Sequence, residues 1–175
     1  MRKPRLLRAL IGDGALFQSA DEKWLGSDLT RLVQAGADDE AMAQLREFRH
    51  RHMVRMAWGD IAGWATLEET LRDLSQLADV CIQFAYRFAY DALSARYGTP
   101  RSAESGAPQP LMIFAMGKLG GGELNYSSDI DLILLYPEEG ETDGARAVDN
   151  AEFFLRLAQK IVQLLAAPTV DGFVY

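Results

Sequence analysis

The chemistry in this chain is concentrated in fifteen consecutive residues, Gly117-Lys118-Leu119-Gly120-Gly121-Gly122-Glu123-Leu124-Asn125-Tyr126-Ser127-Ser128-Asp129-Ile130-Asp131. Asp129 and Asp131 alternate with an apolar residue and open the apolar run Ile130 to Tyr136. In an extended strand, side chains two positions apart share a face about 6.5 Å apart, so this spacing lets both carboxylates reach one divalent cation while Ile130 turns inward. Hard oxygen ligands suit Mg²⁺, with Mn²⁺ as a substitute; such an ion keeps coordination positions for phosphate oxygens, which is how it serves phosphoryl and nucleotidyl transfer. Gly120, Gly121 and Gly122 allow the backbone to approach phosphate closely, and Lys118, Ser127 and Ser128 can add donors. The order of strand, glycine-rich loop and Asp-x-Asp strand is not that of a Walker A loop, because no Gly-Lys-Ser/Thr follows the required spacing. An Asp-x-Asp pair by itself is a weak signal. The context strengthens it, since clustered like charges repel unless a cation compensates them.

The elements that must position these residues are read from apolar periodicity. Leu111 to Met116 and Ile130 to Tyr136 have the length and composition of buried strands, the second ended by Pro137. Asp149 is placed to cap a helix whose Phe154, Leu157, Ala158, Ile161, Val162 and Leu165 recur at helical spacing up to Pro168. Gly172-Phe173-Val174-Tyr175 reads as the start of a further strand that the chain does not complete.

Upstream, Thr66-Leu67-Glu68-Glu69 is a capping box. A 4,3 seam of Leu67, Leu71, Leu74, Ala78, Cys81, Ala85, Phe88, Ala92 and Ala95 predicts one long helix ending before Gly98, packed on another helix. That partner is predicted over Glu40 to about Trp58, capped by Asp38-Asp39, with Arg46, Arg49, His50, Arg51, His52 and Arg55 forming a basic surface, read first as a solvated helix face and alternatively as a contact to an acidic partner. Before Asp39, scattered glycines predict short helices and turns. Arg101 to Pro110 has the composition of a linker. The expected organisation is therefore α+β: a mainly helical arm over 1–100, a linker over 101–110 and a small α/β core over 111–175.

Composition excludes several classes. The 175 residues carry a net charge of −7, so a general nucleic-acid surface is not expected. Residues 1–58 hold ten basic and eight acidic side chains, and the excess of acid lies in the remainder. No stretch has the roughly 20 apolar residues of a membrane span. One cysteine and two histidines provide neither a disulfide nor a zinc set, and a reducing cytoplasm is the expected setting. Cys81 and His52 are expected to be structural.

The stretch Met116 to Leu132, with Gly140-Glu141-Thr142-Asp143-Gly144 and Asp171 to Tyr175, resembles the bifunctional glutamine synthetase adenylyltransferase/adenylyl-removing enzymes. The resemblance runs upstream through Phe48-Arg49, Trp58, Asp60, Gly63 and Leu67-Glu68-Glu69 to cover roughly residues 45–175. It implies a polymerase-β-like nucleotidyltransferase fold with a mixed sheet, of which this chain holds a C-terminally truncated part. The Asn125-Tyr126-Ser127-Ser128 string is similar to the N-terminal, adenylyl-removing copy. The implied activity is phosphorolysis: phosphate attacks the AMP phosphorus of adenylyl-tyrosine on glutamine synthetase and releases ADP. Asp129 and Asp131 would be the catalytic metal ligands, and Gly117, Lys118, Gly120, Gly121, Ser127 and Ser128 would hold phosphate and nucleotide. Implied partners are glutamine synthetase, ADP or ATP, phosphate and a PII-type signalling protein. A Gly-Lys pair stands where many relatives of the fold have Gly-Ser, and the fold's third carboxylate is expected beyond Tyr175. Two other readings stand beside this one: adenylyl transfer from ATP, and a non-catalytic docking fragment.

Overall fold

A computed structural model describes residues 10, 12, 21–34, 36–166 and 174–175. Helix α1 (Glu22–Leu32) starts at Asp21, whose carboxylate accepts the Trp24 amide at 2.8 Å. Helix α2 (Asp38–Ile61) begins one step earlier than the expected cap. Ala37 is its N-cap, and Asp38, Asp39 and Glu40 lie in the first turn, where negative charge meets the helix dipole. Helix α3 (Leu67–Tyr97) is entered through the expected capping box: Thr66 Oγ1 accepts the Glu69 amide and Glu69 accepts the Thr66 amide.

The basic face of α2 is a correction. Arg46, Arg51 and Arg55 are buried and His52 has no exposure at all, so these side chains turn inward, while Arg49 is half-buried and His50 alone of the set is exposed. The reason is a set of partners that charge patterning alone does not reveal. Asp28 lies 2.9 Å from His52 Nε2 and 3.9 Å from Arg51, Asp73 lies 3.8 Å from Arg55, and the Arg55 and Arg49 guanidiniums cover the Trp24 and Tyr175 rings. Flat, weakly hydrated guanidinium groups tolerate such burial better than ammonium groups do.

The seam of α3 is shifted from the expected one. Leu74, Ala78, Cys81 and Ala85 are buried as predicted, but Leu67, Ala92 and Ala95 are exposed, Phe88 is half-buried, and Leu77, Ile82, Ala89 and Tyr97 are buried in addition. A straight helix turns every 3.6 residues, so a 3.5-residue stripe drifts off the core over 31 residues. Helix α3 packs against α1, α2 and the last helix, and Cys81 sits in the shared core with its thiol pushed up to about 12 by burial. At its end Gly98 has φ +88, and a Cβ there would lie 2.1 Å from the Gly144 amide nitrogen. Only glycine permits that approach, which closes the end of α3 onto the acidic loop after β2.

Strands β1 (Met112–Ala115) and β2 (Leu132–Leu135) form an antiparallel pair with Met112 opposite Leu135 and Phe114 opposite Ile133. Both were expected to be buried on both faces. Only Ile113, Ala115, Leu132 and Leu134 pack towards the core; Met112, Phe114, Ile133 and Leu135 are exposed on the opposite face. An apolar run cannot by itself tell a doubly covered strand from one in a two-stranded sheet. Residues 101–110 are tied in place: Arg101 pairs with Pro108, Ser102 accepts the Glu104 and Ser105 amides, and Gln109 donates to the Pro100 carbonyl.

A four-residue turn, α4 (Gly117–Gly120), follows β1. The last helix, α5 (Asn150–Ala166), is capped as expected, Asp149 accepting the Glu152 amide at 2.7 Å. Its core face uses Phe153 and Leu164 beside Phe154, Leu157, Ile161 and Leu165, while Val162 is exposed. One hydrophobic cluster runs from Leu25 through α2, α3 and α5 to Val174. The expected terminal strand falls partly outside the described residues, at Gly172 and Phe173; Val174 and Tyr175 donate to the Leu165 carbonyl at 2.9 and 2.8 Å. Among the described residues no helix is long and apolar enough to cross a membrane.

Candidate functional site: an acid pair at the mouth of β2

The chain leaves β1 through a tight turn. Gly120 and Gly121 amides donate to the Met116 and Gly117 carbonyls, and Glu123 donates to Lys118 at 2.8 Å. Leu119 is buried and pins the turn to the core, while Lys118 is exposed. Gly117 has φ +55, and its missing Cβ would stand 3.4 Å from Asp131 Oδ2, so the turn backs directly onto that carboxylate. The Met116 amide donates to the Asp131 carbonyl at 2.8 Å and fixes the two segments side by side. Gly120 has a packing reason of its own: a Cβ there would meet the Ala115 carbonyl oxygen at 2.4 Å. Gly121 meets nothing closer than 3.7 Å.

Residues 123–128 form the next segment. Leu124 is buried and its amide donates to Ser75 Oγ on α3 at 3.1 Å. Asn125 organises the turn: its Oδ1 accepts from the Ser127 amide at 3.2 Å and the Ser128 hydroxyl at 2.7 Å, and its amide donates to Ser128 Oγ at 3.3 Å. The Ser128 hydroxyl hydrogen is thus spent within the loop, and the exposed Ser127 hydroxyl also donates to Asn125 Oδ1, at 3.4 Å.

Asp129 and Asp131 lie just before β2 rather than within it, and both are exposed, with Ile130 half-buried between them. They line one cleft of about 570 Å³, whose floor is Leu132 and Leu134 from β2, Ile161 and Leu165 from α5, and Tyr175. Lys118, Ser127 and Ser128 stand outside that lining. Among the described residues no three His, Cys, Asp or Glu side chains converge, so the donor set is the acid pair. Two exposed carboxylates fit Mg²⁺ or Mn²⁺, which are commonly held by one or two carboxylates with water and substrate phosphate completing the shell. Sequence reasoning missed Ser75, the Arg55–Asp73 pair and the loop-closing role of Asn125. A lone polar residue beside the buried stripe of α3 was the one available signal for Ser75.

The fold and the site define an α+β chain in which a glycine turn backs onto an acid pair at a strand mouth. The family model described as glutamate-ammonia ligase adenylyltransferase matches residues 1–175, and the chain belongs to that family. The match extends beyond residues 45–175, the stretch that carries the resemblance in sequence. The bifunctional glutamine synthetase adenylyltransferase/adenylyl-removing enzyme of Thioalkalivibrio sulfidiphilus is 47% identical over 176 residues, which is 100% of this chain and 18% of that protein. Proteins of the same name from Nitrosococcus oceani and Shewanella loihica are 45% and 53% identical over 177 residues, covering 100% and 99% of this chain. The chain spans about 18% of the length of these relatives.

Proposed function

We propose that this chain contributes the nucleotidyltransferase-type site of an adenylyl-removing enzyme, acting by phosphorolysis on adenylylated glutamine synthetase. The observation that carries the reading is the acid pair Asp129/Asp131 lining one cleft directly after the Asn125–Ser128 string, with Gly117 backing onto Asp131. In the proposed reaction a phosphate oxygen attacks the AMP phosphorus, the phosphorus–tyrosyl oxygen bond breaks, ADP leaves, and the tyrosyl oxygen takes up a proton. Asp129 and Asp131 would hold Mg²⁺, or Mn²⁺, which when bound neutralises phosphate charge and so lowers the repulsion between two anions. The turn at Gly117–Gly120 holds Asp131 in place and, with Lys118 projecting from it, orients the attacking phosphate. Asn125 and Ser128 hold the loop rigid, so the two carboxylates meet the substrate without reorganising.

The test grafts this chain in place of the matching segment of a full-length relative. The graft is incubated with adenylylated glutamine synthetase and labelled phosphate, and the product is identified. Label in ADP is the expected result. Free AMP released without phosphate would mean hydrolysis, and AMP added from ATP to unmodified synthetase would assign the chain to the opposite reaction.

A further inference from the structure

The loop that delivers the acid pair is anchored on the helices at two points that the proposed reaction does not use. The first is Ser75 on α3, itself buried. Its hydroxyl donates to the Leu71 carbonyl at 2.9 Å and accepts the Leu124 amide at 3.1 Å. Leu124 is 1% exposed, so its amide has no water to turn to, and its acceptor sits 49 positions away in sequence. The second anchor is Tyr126. Its ring packs against the core and its hydroxyl is buried with no hydrogen-bond partner among the described residues. Burial raises its pKa, with Asp60 and Asp73 pushing the same way and Arg55 opposing them. Arg55 on α2 and Asp73 on α3 face each other at 3.8 Å.

The path from these anchors to the acids is short. Leu124 and Tyr126 flank Asn125, Asn125 closes its turn on Ser128, and Asp129 is the next residue. A displacement of the loop from α3 therefore moves Asp129 with little chain in between to absorb it. Residues behind a metal ligand set its orientation, and their loss commonly weakens the metal by about tenfold or more.

We propose that Ser75 and Tyr126 are positioning residues: they fix residues 124–128 on the α2–α3 layer and so set where Asp129 presents its carboxylate to a divalent cation. The proposal rests on the acid pair being the metal site. The test uses the whole chain and Mn²⁺ alone, titrated by electron paramagnetic resonance, with hydrogen exchange of the Leu124 amide measured in parallel. Ser75→Ala should speed Leu124 exchange, leave the Ala78 and Cys81 amides unchanged, and weaken Mn²⁺ binding about tenfold. Ser75→Thr, which keeps the hydroxyl, should restore both. Tyr126→Ala changes no helix residue and should weaken Mn²⁺ in the same direction, which keeps the test open if the Ser75 variants do not fold. Folded Ser75→Ala and Tyr126→Ala proteins that bind Mn²⁺ as the parent does would overturn the positioning role. An Asp129→Asn protein that also binds as the parent does would instead overturn the metal site and, with it, the proposal.

Discussion

The helical layer and the rim of the sheet handle polarity in opposite ways. In the helices the charges go inside: Asp28, Arg46, Arg51, His52 and Arg55 are all at least nine-tenths buried. At the sheet Asp129 and Asp131 stay outside, and apolar side chains are left open on its other face, with Phe114 49% and Leu135 48% exposed. The contrast separates two tasks. The helices hold one continuous core with its buried ion pairs, whereas the sheet contributes little cover and presents groups to an incoming ligand. The Ser75–Leu124 hydrogen bond and Tyr126 are where the first region constrains the second.

The largest effect that would sharpen this contrast is chemical rather than structural. Asp131→Asn in the grafted enzyme should lower phosphate-dependent AMP removal by orders of magnitude, because each ~1.4 kcal/mol of lost transition-state stabilisation is tenfold in rate. Its thermal midpoint should hardly move, since the side chain is exposed. An Asp131→Asn enzyme of parental rate would break the division of labour.

Core truncation is the reverse case. Phe48 is 1% exposed, and Phe48→Ala should cost about 3–5 kcal/mol by urea denaturation. Phe114→Ala, on the open face of the sheet, should cost about 1 kcal/mol or less. Equal losses would show that the sheet face is covered as fully as the helical core.

Acid should weaken the helical layer in two steps. Burial alone would raise Asp28, but hydrogen bonds from His52 and Arg31 outweigh it and bring its pKa down to about 2. Its contribution is complete above the ordinary carboxylate value near pH 4 and is lost as pH falls towards 2. Burial holds His52 below its ordinary value, against the pull of Asp28, whose carboxylate accepts from its Nε2. Below about pH 6.5 the unfolded chain takes up a proton that the folded ring resists, and stability falls with pH. Thermal midpoints between pH 7.5 and 3 should therefore drop through both ranges. His52→Gln should flatten the upper one and Asp28→Asn the lower.

The smallest effects belong to the caps. Thr66→Ala and Asp149→Ala each remove one observed cap and should cost about 1 kcal/mol, read as a small shift in the denaturation midpoint.

What the sequence disclosed follows the same division. Local signals survived: the Thr66 capping box, the Asp149 cap, both strands and the three long helices are where residue type and spacing put them. What failed depended on partners distant in sequence. The arginines of α2 read as solvated because Asp28, Asp73, Trp24 and Tyr175 cannot be placed opposite them without the fold. The α3 seam drifted because a 4,3 spacing and a straight helix agree only over a few turns. The strands looked doubly buried because apolar composition does not report what covers each face. At the site, the acids were legible and their supports were not, since Ser75 meets Leu124 only once α3 is laid beside the loop.

The most direct test of the central claim is an Mn²⁺ titration of the parent chain and of the Asp129→Asn/Asp131→Asn double variant, followed by electron paramagnetic resonance. One weak site in the parent, lost in a double variant that keeps its helical circular dichroism, is the result expected of an acid pair built to hold a cation. Equal Mn²⁺ binding by the two proteins would contradict it.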